Sequence, residues 1–507
     1  MLFTEPTFLF LFLPVLLGLY FVTFSREHAS YANWLLLIAS VLFYATGGGW
    51  FTLLMLASIA FNYGMAIAVD RAHGTPAARA RLAAAVAVNL VVLGIFKYAN
   101  FFADNVNAAL GLLHVPPLHT PRVLLPIGIS FFTFHAISYV IDVSRRDAVA
   151  QKSPVHAALY LLLFPQLIAG PIIRYRDIAD QLARRRVSLD DFAYGVRRFI
   201  VGLGKKVLIA NVVAGPADRI FAMRADQLSA AHAWLGLVCY TMQIYFDFSG
   251  YSDMAIGLGR MFGFRFPENF RWPYVAESVQ GFWRRWHMSL STWFRDYVYI
   301  PLGGNRVSVG RQYRNLVTVF FLCGLWHGAS WTFVIWGLWH GAFLVLERIT
   351  LRRVRKDPPY TSTSPTRPTS PTRPTSPTSP TGPLSWPIWP HVYTMLVVMI
   401  GWVFFRADTL TGAVAFLRSL AGFTVAAPSP YTVQWYLTPE LWLALLAGAL
   451  GSTPWAPALA DRLSQSTTPG VAWSASLASV TLLVAILLAS VMQMAARTYN
   501  PFIYFRF

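Results

Sequence analysis

Apolar runs of roughly 20 residues recur along almost the whole chain, and no other feature narrows its possible folds as much. A run of that length crosses a bilayer core, where no water is present to satisfy backbone N–H and C=O groups. A continuous apolar run closes those bonds internally only as a helix. Composition points the same way: 56% of the 507 residues are hydrophobic and 12% charged, against about 25% charged in a soluble domain. We therefore expect an all-α polytopic membrane protein of roughly ten to thirteen helices. Those interrupted by Pro, Gly or charge are candidates for re-entrant or interfacial segments.

The formal net charge is +19, and the basic residues cluster between or beside apolar runs, as at Arg145, Arg146, Arg184, Arg185 and Arg186. Such clusters can bind nucleic acid, but the positive-inside rule and attraction to anionic headgroups account for them here. Membrane lipid is thus an expected partner and nucleic acid is not. The two cysteines, Cys239 and Cys323, sit far apart within apolar stretches and read as buried small hydrophobes. Residues 8–22 lack a basic leader and a small-residue cleavage site, so they read as a retained first helix.

Residues 6–24, 31–46, 50–69 and 82–102 read as simple spans, with Lys97 snorkelling to the interface. Between 125 and 173 the runs are broken by Pro and Gly, as backbone at membrane depth can be where it lines a cavity. His135 in this region reads as a satisfied buried histidine ahead of a site residue, and Lys205 and Lys206 as a cytoplasmic rim ahead of a cofactor-phosphate site. Asp247 and Asp253 are expected to serve a helix break near Gly250 or to pair with arginines such as Arg260. Residues 357–383, an SPTRPTSPTRPTSPTSPTGP-like tract, form a disordered linker. It would join a membrane domain at 1–356, with its core at 120–345, to further transmembrane helices at 384–507.

The chemistry concentrates in residues 281–341. As one helix, residues 282–298 place Trp283, Trp286, Leu290, Trp293, Phe294 and Tyr297 on one face. Arg284, Arg285, Arg295 and Asp296 take the other, and His287 lies among the aromatics. Residues 320–341 are apolar all round yet carry His327 and His340. An ionisable group in such a segment is costly and is a functional hypothesis by default. No G-x-S-x-G nucleophile or H-E-x-x-H metal pattern is present, and no metal site is expected. On a continuous helix His340 would point about 220° away from His327, so the two should not share one small site.

The blocks PIGISFFTFHAISYVIDV, FPQLIAGPIIR, QIYFDFSGYSDMAIGLGRMFGFRFPENFRWPY, FWRRWHMSLSTWFRDYVYIPLGGNR and GLWHGASWTFVIWGLWHG resemble, in content and order, the membrane-bound O-acyltransferase superfamily. The resemblance is nearest to its bacterial alginate-type O-acetyltransferase branch. It implies a central tunnel, a catalytic His327, a supporting His287, and a cell (inner) membrane location. It also implies acetyl transfer from a cytoplasmic donor, acetyl-CoA, with no bound cofactor. The acceptor would be an extracytoplasmic polysaccharide such as alginate, reached directly or through a periplasmic or membrane-anchored acetyltransferase partner. Arg284, Arg285 and Arg295 would lie near the donor's phosphates. A neutral histidine can take the hydroxyl proton, and Trp283, Trp286, Trp293, Trp326 and Trp331 can supply dry walls. The competing readings are a polysaccharide exporter or transporter, for which no internal repeat is found, and a non-catalytic assembly subunit.

Overall fold

The computed structural model describes residues 1–23, 29–354, 388–424, 427, 429, 431–464 and 469–496. Every regular element among them is helical. The Pro/Thr/Ser tract lies outside the described residues. The first four apolar runs become α1 (Leu13–Thr23, entered through a π turn), α2 (Ala29–Gly48), α3 (Phe51–Arg71) and α4 (Pro76–Leu112). The broken region that follows folds as short pieces: α5 (Ile129–Arg145), α6 (Pro154–Leu162), α7 (Phe164–Leu167) and α8 (Tyr175–Ala183). Then come α9 (Leu189–Gly204), continuous through a π turn with α10 (Asn211–Phe221), and the long α11 (Ala230–Met261). The short α12 (Val279–Trp283) and α13 (Met288–Phe294) precede a helical hairpin, α14 (Val309–His327) and α15 (Trp331–Val354). The chain closes with α16 (Ile388–Arg406), α17 (Leu410–Leu420), α18 (Val433–Tyr436), α19 (Pro439–Gly451), α20 (Trp455–Ser464) and α21 (Pro469–Ala496). Seven of the described helical stretches are long and apolar enough to cross a membrane, or eight if the bent pair α19–α20 forms one span.

Helix α11 is the axle. It is buried almost throughout from His232 to Met261, so it needs no lipid-facing apolar stripe and can carry Asp247, Ser249, Ser252 and Asp253. It runs unbroken through Gly250, contrary to the break expected there. That glycine serves close approach instead: a Cβ on Gly202 of α9 would sit 2.6 Å from the Gly250 carbonyl, and one on Gly257 2.6 Å from that of Gly195. Two glycine pairs let the α9 and α11 backbones touch, the small-residue packing usual between membrane helices.

The acids of α11 are paired across the same seam. Asp253 meets Arg198 at 2.6 Å and Lys205 at 2.7 Å, and Asp247 meets Lys206 at 2.7 Å. Arg260 goes to Asp191 instead. Lys206 is therefore not part of a rim: it is buried against α11, at 2% exposure. An uncompensated charge could not stay there.

Helix α5 measures the depth of the site. Its 17 residues span about 25 Å. At its C-terminal end Arg146 pairs with Asp70, and Tyr297 donates to Asp142 at 2.6 Å. At its N-terminal end the Tyr44 hydroxyl donates to the Ile127 carbonyl, and Trp326 to that of Ser130. Between them the Phe134 ring stacks on Trp293 at 3.7 Å.

Candidate active site

Residues 282–298 do not form one helix. The chain turns at 284–287, with His287 in the left-handed region at φ 43°, and a new helix starts at Met288. Periodicity concealed this because the aromatic positions stay buried on either side of the turn: Trp283, Trp286, Leu290, Trp293, Phe294 and Tyr297 are all in the core. A left-handed histidine is costly unless its surroundings impose it. Asn269 does so. Its carbonyl accepts from Met288 N at 2.9 Å, and its side-chain oxygen takes the Ser289 hydroxyl at 2.8 Å. Ser289 in turn accepts from Ile172 N at 2.9 Å, tying the turn to the broken segment before α8.

The turn points His287 inward, 1% exposed. Its ring meets Phe248 of α11 edge-on at 4.6 Å and lies 6.4 Å, centre to centre, from the ring of His327. His327 is the last residue of α14 and is held edge-on by Trp326 (4.9 Å), Trp336 (5.0 Å) and Phe405 (5.1 Å). The two expected histidines are thus neighbours in an aromatic chamber. Neither ring nitrogen of His287 has a hydrogen-bond partner among the described residues, nor do the indole N–H groups of Trp283 and Trp336.

His340 is closer to this chamber than a continuous helix would allow. The helix ends at His327 and Gly328 is extended, so the angle computed through one helix does not apply. The Trp336 ring lies 5.0 Å from His327 and 5.3 Å from His340, with Trp283 5.1 Å from His340. Trp331 is a correction in the other direction. It is 52% exposed and donates to Asn105, and walls nothing. His135 is only half satisfied, contrary to expectation: its Nε2 accepts from Ile173 N at 3.2 Å, while its buried Nδ1 has no hydrogen-bond partner among the described residues.

Two cavities approach the chamber. One, of about 120 Å³, opens beside the N-terminal end of α5 and is lined by Lys97, residues 125–131, Ile168, Trp326 and His327 itself. Lys97 does not snorkel. It is 8% exposed and turns into this cavity.

The other cavity, of about 250 Å³, lies between α12–α13 and the α14–α15 hairpin. Its floor is apolar, with Leu290, Phe294, Phe320 and Cys323, and Arg284, Arg295 and Arg348 stand around it. Leu316, Phe320, Cys323 and His327 follow one stripe of α14 at helical spacing, so His327 lies one turn, about 6 Å, beyond the last cavity residue on that helix. Arg285 is not among the lining residues; it donates to the Arg271 carbonyl at 3.4 Å. Arg348 was not singled out from sequence.

Asp296 steadies the arginine rim. It is buried, and Arg174, Arg176 and Arg295 all reach its carboxylate. Burial alone would raise its pKa, but Arg295 and Arg174 hold it below the usual carboxylate range, so it stays ionised.

A protein-family model described as the membrane-bound O-acyltransferase family matches residues 129–364. A protein of Azotobacter vinelandii described as a "Probable alginate O-acetylase" is 42% identical over the full length of both chains. The "Peptidoglycan O-acetyltransferase" of Helicobacter pylori is 36% identical, covering 83% of this chain and 80% of its own. The "Teichoic acid D-alanyltransferase" of Bacillus subtilis is 32% identical, covering 44% of this chain and 59% of its own.

Proposed function

The chain belongs to the membrane-bound O-acyltransferase family and is a multi-pass O-acyltransferase, and from that premise we propose that it carries acetyl groups across a bacterial inner membrane. The donor is a cytoplasmic thioester, acetyl-CoA, and the acceptor is a hydroxyl of an extracytoplasmic polysaccharide such as alginate, met directly or through a partner acetyltransferase. The observation that carries this reading is the position of His327. It lines the cavity at one end of α5 and stands one helical turn beyond the arginine-rimmed cavity on the other side.

In the proposed reaction the donor's phosphates lie at Arg284, Arg295 and Arg348, and the clustering of these arginines supports a cytoplasmic end there. The acyl-bearing arm follows the apolar floor. The acceptor oxygen attacks the thioester carbonyl carbon while His327 takes its proton; the C–S bond then breaks, the ester is formed, and the proton passes to the leaving thiolate. His287, or the indole N–H of Trp336, is placed to donate to the oxyanion between these steps. Aromatic walls keep water from the thioester. The described helices before residue 355 and those from Ile388 onward act as one body in this reading.

A vectorial assay tests this reading. Protein reconstituted in one orientation in liposomes, with acetyl-labelled donor only on the Arg348 face and acceptor polymer (with any partner it needs) only on the other, should place label in the polymer as an alkali-labile ester. Label that moves only when donor and acceptor share a face would overturn it. Deleting residues 358–383, most of which lie beyond the stretch the family model matches, should leave the rate of this transfer unchanged. A lost rate at normal protein level would make the tract part of the machinery.

A further inference from the structure

The last carbonyls of a helix have no partner within it, and inside a membrane-embedded core they must find one. Helix α14 ends at the His327 position itself, so the satisfaction of its orphan carbonyls and the placement of His327 are the same structural problem. The side chains that meet it come from two consecutive residues of α4. The Tyr98 hydroxyl donates to the Leu325 carbonyl at 2.7 Å. The Lys97 ammonium donates to the carbonyls of Trp326 and His327, the latter at 3.4 Å, and to the Ser130 hydroxyl at 3.0 Å. An ammonium has three N–H donors, and these three contacts use them all. No carboxylate among the described residues pairs with Lys97. The negative end of the α14 dipole is what offsets its charge.

We propose that Lys97 and Tyr98 are positioning residues for acyl transfer: together they clamp the last three carbonyls of α14 and fix the direction in which His327 presents its imidazole. The proposal rests on the reading of His327 as the base. Ring contacts with Trp326, Trp336 and Phe405 restrain the imidazole, but each of those also depends on where α14 stops. A neutral donor would cap fewer carbonyls, and a lysine that snorkelled away would leave the helix end free to fray at the reacting centre. Since its donors are spent on the protein, Lys97 acts through His327 and does not hold substrate.

The test measures steady-state transfer with Lys97→Met, which keeps the stem and removes the donors. Turnover should fall about 10- to 100-fold, the usual cost of a displaced catalytic group, with KM for donor and acceptor unchanged. Tyr98→Phe, which frees only the Leu325 carbonyl, should fall by a smaller factor. To separate positioning from misfolding, Lys97→Cys is alkylated with 2-bromoethylamine, which rebuilds a lysine-like ammonium in place; turnover should return. Wild-type protein, whose Cys239 and Cys323 are buried, is treated in parallel. Wild-type turnover in Lys97→Met overturns the clamp, as does failure of the confirmed adduct to regain activity. A raised acceptor KM at full turnover also overturns it, by placing the ammonium on substrate. His327→Ala is run beside them: if it is inactive while Lys97→Met is fully active, the clamp alone fails, whereas an active His327→Ala removes the base reading on which the clamp rests.

Discussion

His327→Ala is expected to lower acyl transfer by about 100- to 10,000-fold, the range contributed by a positioned general base, while the protein still folds and inserts. The expectation follows from location. His327 lines one cavity and stands a helical turn beyond the other, so in the proposed reaction a group there would touch the acceptor from one side and the thioester from the other. Its neighbours are aromatic rings on nearly every side, and the other imidazole of the chamber, His287, lines neither cavity. Truncation to alanine opens space against Trp336 and Phe405, so some loss of thermal stability is expected too. Activity must therefore be normalised to folded protein. His287→Asn is the useful companion. Asparagine tolerates the left-handed backbone and keeps a hydrogen-bond donor, so this variant should fold and lose less activity than His327→Ala. Transfer within a factor of about three of wild type by a stably inserted His327→Ala protein would end the assignment, because so small a loss is below anything a proton-transfer role predicts.

Sequence periodicity located the aromatic face of residues 282–298 and both histidines, because burial is what periodicity reports. It could not see the turn at His287. The aromatic positions are buried on both sides of the turn, and Asn269, which enforces the turn, is 18 residues upstream in an irregular stretch. Lys97 was misread for a related reason. A lone lysine late in an apolar run ordinarily reaches for water, and only the end of α14, some 230 residues later in the chain, gives it a reason to stay inside. Arg348 belongs to no motif of its own, and only the fold sets it beside Arg284 and Arg295. The glycines of α9 and α11 look unremarkable singly, and their meaning emerges only when Gly195 is set beside Gly257 and Gly202 beside Gly250. Composition and order of blocks were enough for fold and family. What they lacked was pairing across the chain, which is where the site is made.

The second large effect is expected at Lys206 and Asp247. Their ion pair spans 2.7 Å with side chains 3% and 1% exposed, at the π turn between α9 and α10. Lys206→Met would leave a carboxylate in the core and Asp247→Leu an ammonium. Either single variant should cost about 3–5 kcal/mol of stability, the price of stranding one charge, and should show as poor insertion or a large fall in unfolding temperature. The double variant removes both charges and should recover most of that loss, since an apolar pair of similar volume is often as stable as a buried ion pair. A double-mutant cycle on thermal unfolding in detergent gives the coupling directly. Additive single losses, or a double variant no better than the worse single, would show that the two charges are not held by each other. Activity then distinguishes scaffold from mechanism. Asp247 precedes Phe248, whose ring meets His287 at 4.6 Å, so the pair reaches the site through the placing of that ring. A stable double variant should therefore transfer acyl groups at close to the wild-type rate. If it folds but is inactive, the charges themselves take part in the chemistry, and the pair must be counted among the intramembrane ionisable groups that exist for function.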